Sequence, residues 1–374
     1  MKNYVYADNA ATTKLDIDAF EAMKPYLLNE YGNASQPYSF GRKAKLAIKH
    51  ARETIAECIN ADPSEIYFTS CGTESDNWVV KGAAFSDVEK RATITSQIEH
   101  HALLNACVAI ERLGYPVAYL PVSYNGIILP ETLKRIITNR THLVSVMMAN
   151  NEIGTIEPIK ELCDIAHQHG ALFHTDAVQA VGHIPIDVKS LGIDLLSASA
   201  HKFNGPKGIG FLYIKKGTKL SSFMNGGSQE NSMRAGTENV ASIVGMAVAL
   251  KKNCDRMEEN TRHIRSLEKI IIDGLNASGV DYIRNGSENR TPGNISLSFK
   301  GFDGEAILHR MDLMGIAIST GSACDSVNTK ISHVIKAIKL DEEYAKGTVR
   351  ISLGKDNTVE DAERIVESLI KIIR

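Results

Sequence analysis

Between residues 64 and 214 the chain alternates short apolar runs with amphipathic stretches, and this alternation limits the possible folds more than any other feature. The runs are "EIYFTS" (65–70), "ATITS" (92–96), "YPVAYL" (115–120), "HLVSVMM" (142–148), "ALFHTD" (171–176), "DLLSASA" (194–200) and "IGFLYI" (209–214). Each has strand length, and stretches such as "HALLNACVAIERLG" between them have helix length. Strands spaced by helices predict an α/β unit with a mostly parallel seven-stranded sheet covered on both faces. Ligands of such sheets gather at the carboxyl ends of the strands.

The chain has 374 residues, too many for one small core. A long helix-like segment is expected over about 238–274. After it, "GNISLSF", "GEAILHRMDLMG", "GTVRISLG" and "TVEDAERIVESLIKII" mix strands and helices in α+β fashion. The expected division is a large domain over 15–255 and a smaller one made of 1–14 and 256–374, with the ligand cleft between them. Net charge is −2 with no dense basic block, which argues against direct binding to nucleic acid or an anionic membrane. No window approaches the apolar length of a membrane span, and "MKNYVYADNAATT" has no signal-peptide pattern, so a cytoplasmic protein is expected. The six cysteines are scattered without a Cys-x-x-Cys pair, which supports neither a metal site nor a disulfide framework.

Four stretches carry chemistry. In "SASAHKFNGPKGIGFLYI" (197–214), Lys202 stands where a strand feeds a tight turn, beside Ser199 and His201. A lysine held there suits covalent attachment to a carbonyl cofactor better than a place on a solvated helix face. In "LFHTDAVQAVG" (172–182), Asp176 closes a strand and Gln179 follows one helical turn later. A pyridine cofactor needs such a carboxylate at its ring nitrogen, although an aspartate there could equally be a helix cap. In "FTSCGTESDN" (68–77) a turn leads into a helix near Thr73, where backbone amides and the hydroxyl would cradle a phosphate. In "QIEHHALLN" (97–105), His100 at a strand end could stack on a planar ring or simply cap a helix.

Together with "DNAATT", "NNEIGTIEPI", "HKFNGPKGIG", "AGTEN" and "STGSAC", this order of motifs resembles the class V aminotransferase branch of fold-type I pyridoxal-phosphate enzymes. More narrowly it resembles the NifS/IscS-type cysteine desulfurases, from "YADNAATT" (6–13) to "GTVRISLG" (347–354). The resemblance implies that Lys202 carries pyridoxal 5'-phosphate, Asp176 pairs with its ring nitrogen, Gln179 meets the ring hydroxyl oxygen and His100 stacks on the ring. It implies phosphate contacts from Thr73, Ser199 and His201. Thr237 of "RAGTEN" would reach a neighbouring subunit's phosphate, so a homodimer with shared active sites is implied. Asn151 would touch the ring oxygen or the substrate carboxylate, and Arg350 would clamp that carboxylate.

The implied activity converts L-cysteine to L-alanine, with Lys202 moving the α-proton and the sulfur passing to Cys324 as a persulfide. The thiol of Cys324 would act as its thiolate, assisted by a base such as His100. An acceptor protein would then take the sulfur for iron–sulfur cluster assembly or tRNA thiolation. Selenocysteine lyase, or another class V reaction on pyridoxal phosphate, is the alternative activity. Three positions depart from the family pattern: Cys71 replaces a glycine of the phosphate turn, Tyr38 replaces a histidine, and Lys355 replaces an arginine. A Cys71 in place of glycine would restrict the turn's backbone.

Overall fold

The computed structural model describes residues 4–86, 92–321 and 331–374. Its strands are β1 (Val5–Tyr6), β2 (Ile66–Thr69), β3 (Ala92–Ser96), β4 (Val117–Leu120), β5 (Thr141–Ser145) and β6 (Leu172–Asp176). They continue with β7 (Leu195–Ser199), β8 (Gly210–Ile214), β9 (Tyr282–Arg284), β10 (Asn294–Phe299), β11 (Ile316–Ala317) and β12 (Thr348–Ser352). The main sheet has seven strands in the order β2-β8-β7-β6-β5-β3-β4. All its pairs are parallel except those that β8 makes with β2 and β7. All seven apolar runs of the sequence are therefore strands of this one sheet.

Every residue of β5, β7 and β8 is buried, and so are all of β6 but its first. That is the burial of strands covered on both faces, and it explains why these segments read as continuous apolar runs rather than alternating ones. Four of the helices that cover the sheet or flank the site are α1 (Ile17–Leu28), α2 (Arg42–Cys58), α3 (Gly72–Ser86) and α4 (His101–Glu111).

The segment 238–274 is two helices, Val240–Asp255 and Met257–Ser278, not one. The chain leaves helical geometry at Arg256, with φ −106° and ψ 13°. The apolar stripes explain the break. The first helix buries Ile243, Met246 and Leu250 in the core under the main sheet. The second buries Ile264, Leu267, Ile271 and Leu275 in a separate core with β10 and β12. One straight helix could not aim its stripe at both cores.

The second core also takes Val5 and Ala7 from the start of the chain. Strand β1 pairs in parallel with β11, while β9, β10 and β12 form an antiparallel sheet. The C-terminal helix Val359–Ile373 closes this core with Ala362, Ile365, Val366, Leu369 and Ile372, the spacing of one helical face. A capping box between Thr358 and Asp361 fixes its start. Burying each such Ile or Leu contributes roughly 1.5–3 kcal/mol. Among the described residues, no helix is long and apolar enough to cross a membrane.

Candidate active site

The carboxyl ends of β2, β3, β6 and β7 converge on one cavity of about 280 Å³, whose rim is completed by β12. At the end of β2, Ser70 and Cys71 turn the chain into α3, which starts at Gly72. The first amides of that helix have no intrahelical acceptors, so they offer donors and a positive dipole end to an anion. A Cβ on Gly72 would meet Val178 Cγ2 at 2.6 Å, so glycine lets the helix end approach the segment after β6. Neither Cys71 nor Gly72 has a positive φ. Cys71 therefore does not occupy a conformation reserved for glycine, contrary to the restriction expected from sequence.

Thr73, Ser199 and His201 all line the cavity at this end. Ser199 closes β7 and its side chain is buried, yet its Oγ has no hydrogen-bond partner among the described residues. Buried hydroxyls are rarely left this way, and an incoming acceptor would satisfy it. His201 is held by Thr12, Nδ1 to Oγ1, at 3.1 Å. Burial, and then the charge of Lys202, push its pKa down to about 4, so it is neutral near pH 7. Free helix amides with an unpartnered buried hydroxyl fit the phosphate of pyridoxal phosphate.

The floor is built by β6 and β7. Asp176 ends β6 and accepts the Val178 N–H at 2.9 Å. Burial raises its pKa to about 6, against the lowering effects of that bond and of Lys202. Lys202 follows β7, and its Nζ donates to the carbonyls of Ala10 at 2.6 Å and Ala11 at 2.8 Å. The "DNAATT" segment thus holds the lysine tip in the cavity. Gln179 donates to the same Ala10 carbonyl at 2.9 Å.

His100 also lines the cavity and caps α4, with its Nδ1 accepting the Ala102 N–H at 3.1 Å. Burial first, then Lys202, lower its pKa to about 4. A neutral ring whose Nδ1 accepts carries its hydrogen on Nε2. His100 therefore presents a donor at Nε2, and the base role implied by the resemblance would require it to give up its bond to the Ala102 N–H.

Asn151 and Arg350 stand at the rim. Arg350 Nη2 donates to Asp8 Oδ1 at 2.6 Å and Nη1 to the Asn151 carbonyl at 3.0 Å. Its Nε is buried without a partner among the described residues. An arginine fixed on two sides with a spare buried donor suits a carboxylate ligand.

Nine of the expected site residues thus share one cavity. Thr237 does not: it is exposed and absent from the cavity wall of its own chain. Cys324 lies outside the described residues, which resume just before His333. Gly321 and His333, near the two ends of that interval, both line the cavity.

Sequence reasoning missed Asp76 and the Ala10–Ala11 carbonyls, all on the cavity wall. Asp76 could have been found, because it lies one helical turn after Thr73 and shares its face. Tyr38 is half exposed and does not line the cavity. Lys355 binds Asp16 instead, at 3.1 Å.

Residues 5–365 match the family described as Aminotransferase class-V. The chain is 48% identical over 375 residues to "Cysteine desulfurase IscS" of Dictyoglomus turgidum, covering 100% of this chain and 95% of that one. It is 46% identical to "Cysteine desulfurase IscS" of Methanosarcina thermophila, covering 99% and 92%. Among solved structures, one titled "NIFS-LIKE PROTEIN" superposes with a TM-score of 0.93 at 37% identity, covering 99% of each chain. Another, "SspA in complex with cysteine", superposes at 0.84 with 36% identity, covering 95% of this chain and 100% of that one. With the family match spanning nearly the whole chain and these relatives agreeing with the cavity built from its residues, the protein belongs to the class-V aminotransferase family, in the branch that holds the cysteine desulfurases.

Proposed function

We propose that this protein is a pyridoxal-phosphate-dependent cysteine desulfurase that converts L-cysteine to L-alanine and keeps the sulfur on Cys324. The observation that carries the reading is one cavity uniting a lysine, a buried carboxylate, a helix-end anion cradle and a carboxylate-seeking arginine. Thr73, Ser199, His201 and the first amides of α3 would hold the cofactor phosphate. Asp176 would hold a proton at the ring nitrogen, Gln179 would meet the ring hydroxyl oxygen, and His100 would cover the ring face. When bound, pyridoxal phosphate supplies an electron sink for the α-carbon of an amino acid.

The chain's own groups do the rest. Arg350 and Asn151 bind and orient the substrate carboxylate. Lys202 moves the α-proton, and His100 keeps a donor hydrogen on Nε2 facing the substrate. The Cys324 thiolate attacks the substrate sulfur, so that one thiol and L-cysteine become a protein persulfide and L-alanine. The carbon–sulfur bond breaks as the sulfur–sulfur bond forms, with no net oxidant required.

Three further readings belong with this one. The separate cores support the division into a large domain over 15–255 and a smaller one of 1–14 with 256–374. Exposed Ile17, Leu27, Leu28, Tyr31 and Phe40, with Thr237 exposed and absent from the wall of its own cavity, support a homodimer in which Thr237 serves the partner's phosphate. The persulfide sulfur would go to an acceptor protein for iron–sulfur cluster assembly or tRNA thiolation, in the cytoplasm.

Single-turnover mixing of Cys324→Ser with L-cysteine tests the assignment. The variant should keep the visible absorbance of bound cofactor and change it on adding substrate, yet release no alanine. Alanine at the rate of the unaltered enzyme would remove Cys324 from the reaction.

A further inference from the structure

Three carboxyl groups meet beneath the cavity, and the family resemblance gives a role to only one of them. Asp76 on α3 is 1% exposed, Glu99 after β3 is fully buried, and Asp176 ends β6. Asp76 and Asp176 line the same cavity. The basic groups near them are few. Lys202 is committed to two backbone carbonyls. His174, on the same face of β6 as Asp176, is fully buried and its pKa is lowered to about 3, so it is neutral. His100 is also neutral near pH 7.

The three carboxyls differ in the donors they receive. Asp176 takes the Val178 N–H and feels Lys202. Glu99 takes the Ser96 hydroxyl at 2.6 Å and the Met147 N–H at 3.0 Å, both on Oε1. Asp76 feels the Ser197 hydroxyl, and, like Glu99 Oε2, its Oδ1 has no hydrogen-bond partner among the described residues. The nearest basic nitrogen to that oxygen is His174 Nε2 at 3.8 Å, beyond hydrogen-bond reach. His174 itself is held by Ser145 at 2.7 Å and Ser197 at 3.0 Å. An ionised carboxylate at Asp76 would therefore be a buried charge without compensation, beside Asp176, the thiol of Cys71 and Glu99, whose own pKa burial raises to about 8.

We propose that Asp76 is a positioning residue that stands as a neutral carboxylic acid at the end of the Ser145–His174–Ser197 chain, leaving Asp176 as the one carboxylate that faces the cofactor ring nitrogen. This rests on the pyridoxal-phosphate reading of the cavity. Like charges in one dry site oppose each other's ionisation, so a proton on Asp76 removes a repulsive charge from beside Asp176, which the Val178 N–H and Lys202 already favour as a carboxylate. Burial acts first to raise Asp76 well above the usual carboxylate range, with Asp176 and Glu99 adding to it and Ser197 opposing. The sign follows: a carboxyl raised on folding contributes stability below its ordinary pKa, and that stability fades as pH rises through the folded value.

The test compares the unaltered enzyme with Asp76→Asn, both loaded with pyridoxal phosphate and both as apoprotein. Infrared difference spectra with isotope-labelled aspartate should show a protonated aspartyl carbonyl at neutral pH in the holoenzyme that is missing in D76N. The apoprotein should lose thermal stability on alkaline titration by an amount that D76N visibly reduces. The visible band of the holoenzyme should show an alkaline transition that D76N lacks. A labelled spectrum with every aspartate ionised, or stability profiles that run parallel, would overturn the proposal. If D76N does not fold, the labelled unaltered enzyme alone decides, by the presence or absence of that carbonyl. If the unaltered protein binds no pyridoxal phosphate, the cofactor reading fails, while the apoprotein profiles and labelled spectra still judge Asp76.

Discussion

Two aspartates, Asp16 and Asp176, have buried side chains and are pushed in opposite directions. Asp16 leads into α1 and is met by Lys252 at 3.0 Å, Lys355 at 3.1 Å and the Asp18 amide at 2.9 Å. Burial works to raise its pKa, but the two lysines and the amide outweigh it and bring it down to about 2. Asp176 has one amide and a lysine committed elsewhere, and burial wins, raising it to about 6. The first carboxylate ties α1 to the helix Val240–Asp255 and to the segment after β12, and its charge is already matched. The second is left short of positive charge. That deficit suits a cationic ring, and it separates a structural carboxylate from one awaiting a ligand.

The comparison breaks most visibly if the catalytic end proves inert. Lys202→Ala should lower alanine formation by about 10²- to 10⁴-fold and abolish the cofactor's visible band. Turnover within a few-fold of normal would remove the lysine from the reaction. At the rim, Arg350→Ala should raise the apparent KM for L-cysteine by roughly ten- to a hundredfold, the worth of about 1.5–3 kcal/mol for hydrogen bonds to a charged group. An unchanged KM would make Arg350 only the partner of Asp8.

On the structural side, Asp16→Asn should cost about 1–3 kcal/mol of unfolding free energy and leave kcat and KM alone. The loss should shrink under acid, because Asp16 lends its stability above its ordinary pKa and loses it as pH falls toward about 2. Urea titrations at two pH values would check both parts, and equal losses at each would contradict the ion-pair account. The smallest effect is expected in the apoprotein for Asp176→Asn. Its thermal stability should fall less than that of the unaltered chain as pH rises through 6, since a raised carboxyl loses its contribution in that direction. Identical slopes would mean that Asp176 is not short of positive charge.

Much of this was legible in the sequence because short motifs and strand ends coincide. Lys202, Asp176 and Ser199 lie at or just beyond strand termini, where the α/β architecture collects its site. Burial on both faces made β5 to β8 readable as apolar runs. The break at Arg256 was not legible, since both flanking segments are good helix formers and only the two separate cores require the turn. The direction of His100 was also hidden. Whether an imidazole accepts or donates depends on its cap bond with Ala102, a matter of local geometry rather than residue type. Asp76 escaped because an aspartate in the first turns of a helix ordinarily serves the helix dipole.

The pairing of β1 with β11 has a consequence for synthesis on the ribosome. Val5 pairs with Ile316, and Asp8 binds Arg350. The main sheet can close once β8 has emerged, but the second core must wait for residues made about 300 positions after its first strand. At ordinary synthesis rates that wait is about 15–60 s. Through that interval Val5 and Ala7 have no core to enter, which makes the β1 segment a natural client for holding chaperones and its docking a late step in maturation.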